Sequence, residues 1–200
     1  MKYIDWTLGQ VEAVFNKLGG DDGVRRFLAG ELVVKPVDRN WLTWKTIKLG
    51  TGIKDANGFR QAIKNAEMRI SDWANDIIGK PEFVVIAGEM EVDLVKVTVG
   101  ELGFKDGARR DQIYDRVKEL GLEICPPEVG PQLRLQYKDQ PLDEWILIGM
   151  EPIRSSGGVL GVFGVEHNDV GFWLGGDYGG PGYVWDADNQ WVFVRPRKCQ

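Results

Sequence analysis

Histidine is nearly missing from this chain: His167 is the only one in 200 residues. That excludes metal sites built on several imidazoles, including the two-histidine helix of zinc peptidases. Cysteine is scarce as well. Cys125 and Cys199 cannot make a disulfide framework, and the expectation is a reduced protein of the cytoplasm. Long apolar runs are absent. Stretches such as 83–87 and 146–150 fall far short of the roughly 20 residues of a bilayer span, so no membrane partner is expected. The opening MKYIDWTLGQ lacks the apolar core of a secretory signal. Neither a GxxxxGK[ST] loop nor a GxGxxG turn between strand and helix is present, which removes the common phosphate-cradling signatures. No repeat or low-complexity tract interrupts the chain, and no cofactor is implied.

What is present is a mildly acidic globular composition: thirty acids against twenty-five bases, net charge -5, with 43% hydrophobic residues. The charge is unevenly spread. Residues 1–80 carry thirteen bases and ten acids, net +3, whereas residues 81–200 carry twelve and twenty, net -8. The change falls at Gly79-Lys80-Pro81, which also ends a helical pattern. A helical segment 1–80 followed by a sheet domain 81–200 is the organisation this suggests, the junction being either a domain boundary or a change of layer within one domain.

Thr7 and Gln10 have the spacing of a capping box ahead of Leu8, Val11, Val14, Phe15 and Leu18. Gly19-Gly20 stops that helix, and Asp21 or Asp22 starts a second, giving a helical hairpin. Alternation at 41–49 predicts a strand, Phe59–Ala66 a helix, Met68-Arg69-Ile70 a connection, and Ser71 the cap of a helix over 72–78. Segments 83–87 and 91–99 read as strands. Gly107–Leu120 is the one strongly amphipathic helix of the second half, with Ala108, Ile113, Val117 and Leu120 as its stripe. Pro126, Pro127 and Pro131 argue against helix, and Leu133–Tyr137 alternates like a strand. Four more strands follow at 145–153, 159–166, 171–174 and 191–194, with hairpin turns at 155–158 and 167–169. Helices early and strands late make an α+β fold: a helical N-terminal segment, then a mainly antiparallel sheet with one amphipathic helix.

The string GLEICPPEVGPQLRLQY, followed by DQPLDEWILIGMEPI, resembles segments of a group of uncharacterised bacterial proteins, as does the opening TLGQVEAVFNKLGGDDGVRRFLAGEL. The resemblance covers most of the chain and implies a bacterial intracellular or mobile-element setting. No activity is attached to that group, so it assigns no residue a role.

Candidate chemistry is thin. A Cys125–His167 pair is the only possible thiol–imidazole couple, and Cys125, between Ile124 and two prolines, reads better as a buried structural thiol. Glu123, Glu128, Glu144, Glu151 and Glu166 lie at or beside strands. For a small carboxylate-dependent hydrolase the candidates are Glu128, Arg134, His167 and Asp177, with Arg134 as an anion clamp. Asp186-Ala187-Asp188-Asn189 lacks the glycine and the twelfth-position glutamate of a calcium loop and reads as a turn, so no metal is expected. Arg25-Arg26 on the hairpin would suit a helix-turn-helix, but Glu12, Asp21, Asp22 and Glu31 surround them, which makes weak nucleic-acid binding the least favoured reading. The leading expectation is a non-enzymatic binding or regulatory protein. Its contact surface would be the Gly- and aromatic-rich tail, Trp173, Tyr178, Tyr183, Trp185 and Trp191, and its partner another protein.

Overall fold

A computed structural model describes residues 7–33 and 41–197 and divides the chain into two units, Met1–Val37 and Asp38–Gln200. The first holds α1 (Leu8–Leu18) and α2 (Gly20–Leu28). The capping box forms as the spacing predicts: the Gln10 amide N–H donates to Thr7 Oγ1 at 3.3 Å, and the Thr7 N–H to Gln10 Oε1 at 2.8 Å. Gly19 turns the chain between the helices at φ 95°, a conformation that only glycine enters without strain. No residue of α1 is buried.

The second unit runs β1 (Lys45–Leu49), α3 (Ala56–Asn65), β2 (Arg69–Ile70), α4 (Asp72–Ile77), β3 (Met90–Thr98), β4 (Ala108–Arg109), α5 (Arg110–Glu119), α6 (Val129–Gln136), β5 (Trp145–Ile148), β6 (Ile153–Arg154), β7 (Leu160–Asn168), β8 (Gly171–Tyr178), β9 (Val184–Trp185) and β10 (Gln190–Arg195). The main sheet has the order β1-β3-β10-β5-β7-β8-β2, with β6 paired to β7. Its pairs are antiparallel except β10 with β5 and β8 with β2. β4 and β9 form a separate antiparallel ribbon. The α+β class with a mainly antiparallel sheet is the one the sequence predicts.

Helices cover both faces of the sheet. On one, α6 brings Gly130 against the Phe163 ring, where a Cβ would stand 2.7 Å from it, and α4 lays Trp73 over Gly161 and Gly176. Phe59 of α3 completes an edge-to-face chain through Phe83 to Phe163, at 5.7 and 5.9 Å. On the other face, Tyr114 of α5 meets Trp191 and Phe193 edge-on, both at 6.0 Å, and Trp185 of β9 meets Trp191 at 5.3 Å. Trp191 and Phe193 are fully buried, each worth about 2–3 kcal/mol of transfer free energy.

Four expectations are corrected. Residues 129–136 form helix α6, not a strand: Pro131 sits in its first turn, where no N–H is needed. Val129 to Arg134 are all buried, so no one-sided pattern marks the helix in sequence. Segment 83–87 forms no strand, because Ile86 gives its N–H to the Glu128 carboxylate instead of to a strand. Arg69–Ile70 is a short edge strand and no mere connection, pairing with Trp173 and Leu174. The expected boundary at Gly79-Lys80-Pro81 falls inside the second unit, because β1 pairs with β3 across it along its whole length.

Candidate functional site

The register of the sheet sorts its side chains into rows on the face covered by α5. One row runs Trp145 of β5, Glu166 of β7, Trp173 of β8, Arg69 of β2. The next runs Val97, Trp191, Leu147, Gly164, Gly175. In the third, Val162 faces Asp177. The middle row thus shrinks from an indole to no side chain at all as it approaches the β8 edge. Its last two positions are glycines directly opposite each other.

The two glycines are bare for different reasons. A Cβ on Gly164 would stand 2.8 Å from Asp177 Oδ2 and 3.2 Å from Trp145 Nε1. The missing methyl therefore lets the Trp145 indole cross β7 and donate its N–H to Asp177 Oδ2 at 3.1 Å. Above Gly175 the only neighbour a Cβ would meet is the Gly164 carbonyl oxygen, at 3.7 Å, an ordinary contact. Gly175 is the floor of an open notch, with Trp173 and Asp177 on either side of it along β8.

The charge in this notch is one-signed. Asp177 is half-buried, and desolvation pushes its carboxyl up to about 6, with the like charge of Glu166 adding to the rise and the Trp145 hydrogen bond opposing it. Glu166 accepts from the Asn168 side chain at 2.7 Å. Among the described residues neither acid is in an ion pair with a Lys, Arg or His. The nearby cation, Arg69, lies with its guanidinium 5.4 Å from the centre of the Trp173 ring instead. Aromatic rings then lead away from the notch: Trp145 to Trp185 at 5.9 Å, Trp185 to Tyr183 at 4.7 Å, Tyr183 to Tyr178 at 6.0 Å.

The five aromatics singled out in the tail therefore divide. Tyr178 and Tyr183 are exposed, at 38% and 48%, and Trp173 is half-buried with its indole N–H on Asn168 Oδ1 at 3.2 Å. Trp185 and Trp191 are core residues and offer no contact surface, because β9 and β10 turn them inward onto Tyr114 and each other.

The four hydrolase candidates do not meet. Glu128 is fully buried and acts as a staple: Oε1 accepts from the Gly50 N–H at 2.8 Å and from Gln132 Nε2 at 2.9 Å, Oε2 from the Ile86 N–H at 2.7 Å. Arg134, also fully buried, donates to the Tyr137 and Glu166 carbonyls and to Gln140 Oε1, and its guanidinium lies 4.6 Å from the Phe172 ring centre. Burial without a carboxylate partner lowers its pKa to about 10. His167 stacks on Phe172 at 4.0 Å and sets Nδ1 2.7 Å from the Gln140 carbonyl. Arg134 and His167 thus share Gln140 and Phe172 on the α6 face, whereas Asp177 belongs to the opposite face. Cys125 is buried, its thiol donates to the Val192 carbonyl, and desolvation raises its pKa, which keeps it protonated. The other cysteine, Cys199, lies outside the described residues. At 186–189 the chain makes a turn, with the Asp186 N–H on Asn189 Oδ1 at 2.8 Å.

Among the described residues no group of three or more His, Cys, Asp and Glu is placed to hold a metal ion, and no helix is long and apolar enough to cross a membrane. Trp145 is the residue that sequence reasoning passed over. The two-residue period of Phe163-Gly164-Val165-Glu166 and Trp173-Leu174-Gly175-Gly176-Asp177 does put two glycines and two acids on one face. Finding Trp145 needed the partner strand as well. No family model, no curated protein and no solved structure matches this chain.

Proposed function

We propose that this is a binding protein that engages another protein through the strip of Trp145, Glu166, Trp173, Gly175 and Asp177, rimmed by Tyr178 and Tyr183. One observation carries the reading: a sheet row that tapers to an open glycine beside a half-buried carboxyl group that has no cationic partner among the described residues. A half-buried charge is costly to keep unless something compensates it, and a partner bound over Gly175 supplies that compensation. The exposed tyrosines add flat, amphipathic contact area of the kind that anchors protein interfaces.

Photo-crosslinking in the native host tests the proposal. A benzoylphenylalanine at Tyr183 should give a discrete protein adduct that disappears when Gly175→Val fills the notch. The same label at exposed Lys118, on α5, should not give that adduct. An adduct that survives Gly175→Val, or that forms equally from Lys118, would remove the strip as the contact surface.

A further inference from the structure

The charges and rings of the strip specify more than a generic protein surface. Resting on the binding reading above, we infer that the partner presents a basic segment, one of whose Arg or Lys side chains lies over Gly175 between Trp145 and Trp173 and pairs with Asp177 and Glu166.

Three independent features point there. First, both acids of the strip stand on the face where Gly175 lies bare, and no protein cation pairs with either among the described residues. A long flexible cationic side chain is the group that fills a narrow notch and brings the opposite charge to its end. Second, the walls are indoles, the best ring partners for a cation, and the chain already uses one of them so: Arg69 lies on the Trp173 ring in the same row. Third, the field favours it at a distance, since the unit that bears the strip, residues 38–200, carries the chain's whole net charge of -5, which attracts a basic partner and repels an acidic one. A sugar would also stack on indoles, but it would leave the carboxylates without a counter-charge.

The test is a titration at pH 7.5 of the full chain, followed through its indole N–H resonances. The probe is an acetylated, amidated peptide with one central arginine among glycines. Controls are the same peptide with citrulline, which keeps the shape and removes the charge, and a neutral cello-oligosaccharide. The inference expects saturable shifts of the Trp145 and Trp173 signals with the arginine peptide, and binding about tenfold weaker for the citrulline peptide or for Asp177→Asn. Asparagine keeps the acceptor for the Trp145 N–H, so the variant retains the fold while losing the charge. Equal binding of the arginine and citrulline peptides overturns the inference. So does a response to the oligosaccharide alone, which would leave the strip as a surface but for another ligand. Silence toward all three probes with a persisting Tyr183 crosslink overturns the basic class and spares the binding reading; silence in both experiments overturns both.

Discussion

A single carboxyl group, Asp177, sets the electrostatics of the strip, and its behaviour with pH follows from its burial. Its folded pKa of about 6 lies above the roughly 3.9 of an unfolded aspartate, so the folded state holds the proton more tightly. Below about pH 4 the group is protonated in both states and costs nothing. As pH rises through 6 the folded state must carry a poorly solvated charge and loses stability. Asp177→Asn should therefore match wild type near pH 4 and exceed it by about 1–2 kcal/mol above pH 7, once partial solvation is allowed for. Urea unfolding at both pH values measures this, with Glu166, Arg69 and Arg110 as the other charged groups around β8 held constant. Arg134 makes the contrasting case. It is buried, and its donors satisfy two carbonyls and the Gln140 amide oxygen, so Arg134→Ala should cost about 3–5 kcal/mol and Arg134→Lys nearly as much, because a single ammonium cannot serve three directions. Chemical denaturation of the two variants decides it. The sequence marks both residues as candidates for chemistry but shows neither of these roles. Their burial depends on strands and loops that are distant in the chain.

Adjacent glycines on β8 show how an element encodes two different demands. Gly175 faces open space, whereas Gly176 faces α4, where a Cβ would stand 2.9 Å from the Ala74 nitrogen and 3.1 Å from the Trp73 carbonyl carbon. Gly175→Val should leave the melting temperature unchanged or raise it, since valine suits a strand better than glycine. Gly176→Val should lower stability by about 2–3 kcal/mol by forcing α4 off the sheet. Thermal melts of the pair test the face assignment directly. Elements whose own pattern decides their form were legible in sequence: the capping box of α1, the α5 stripe, and β3, β7 and β10. Elements fixed from outside were not. α6 is buried from Val129 to Arg134 and carries a proline in its first turn, so its periodicity vanished. Segment 83–87 has strand composition, yet Glu128 takes the N–H of Ile86.

At the scale of the whole molecule, the charge asymmetry seen in sequence survives with a different meaning. The boundary between basic and acidic segments does not divide domains, because β1 and β3 pair across it. It records instead that the strip-bearing strands β7 and β8 belong to an acidic stretch of chain. The fold class was legible because helices and strands segregate along the sequence. The strip was half legible: Trp173, Gly175 and Asp177 stand in one recognisable segment, but Trp145 and Glu166 join them only through pairing of β5, β7 and β8. The central claim is that the open glycine between these side chains is where a partner's cation binds. The measurement that reaches it most directly is the dissociation constant of the arginine peptide for Gly175→Val, taken together with that variant's melting temperature. The account predicts an undiminished melting temperature and binding at least about tenfold weaker than wild type. An intact fold that binds the peptide as wild type does would contradict it.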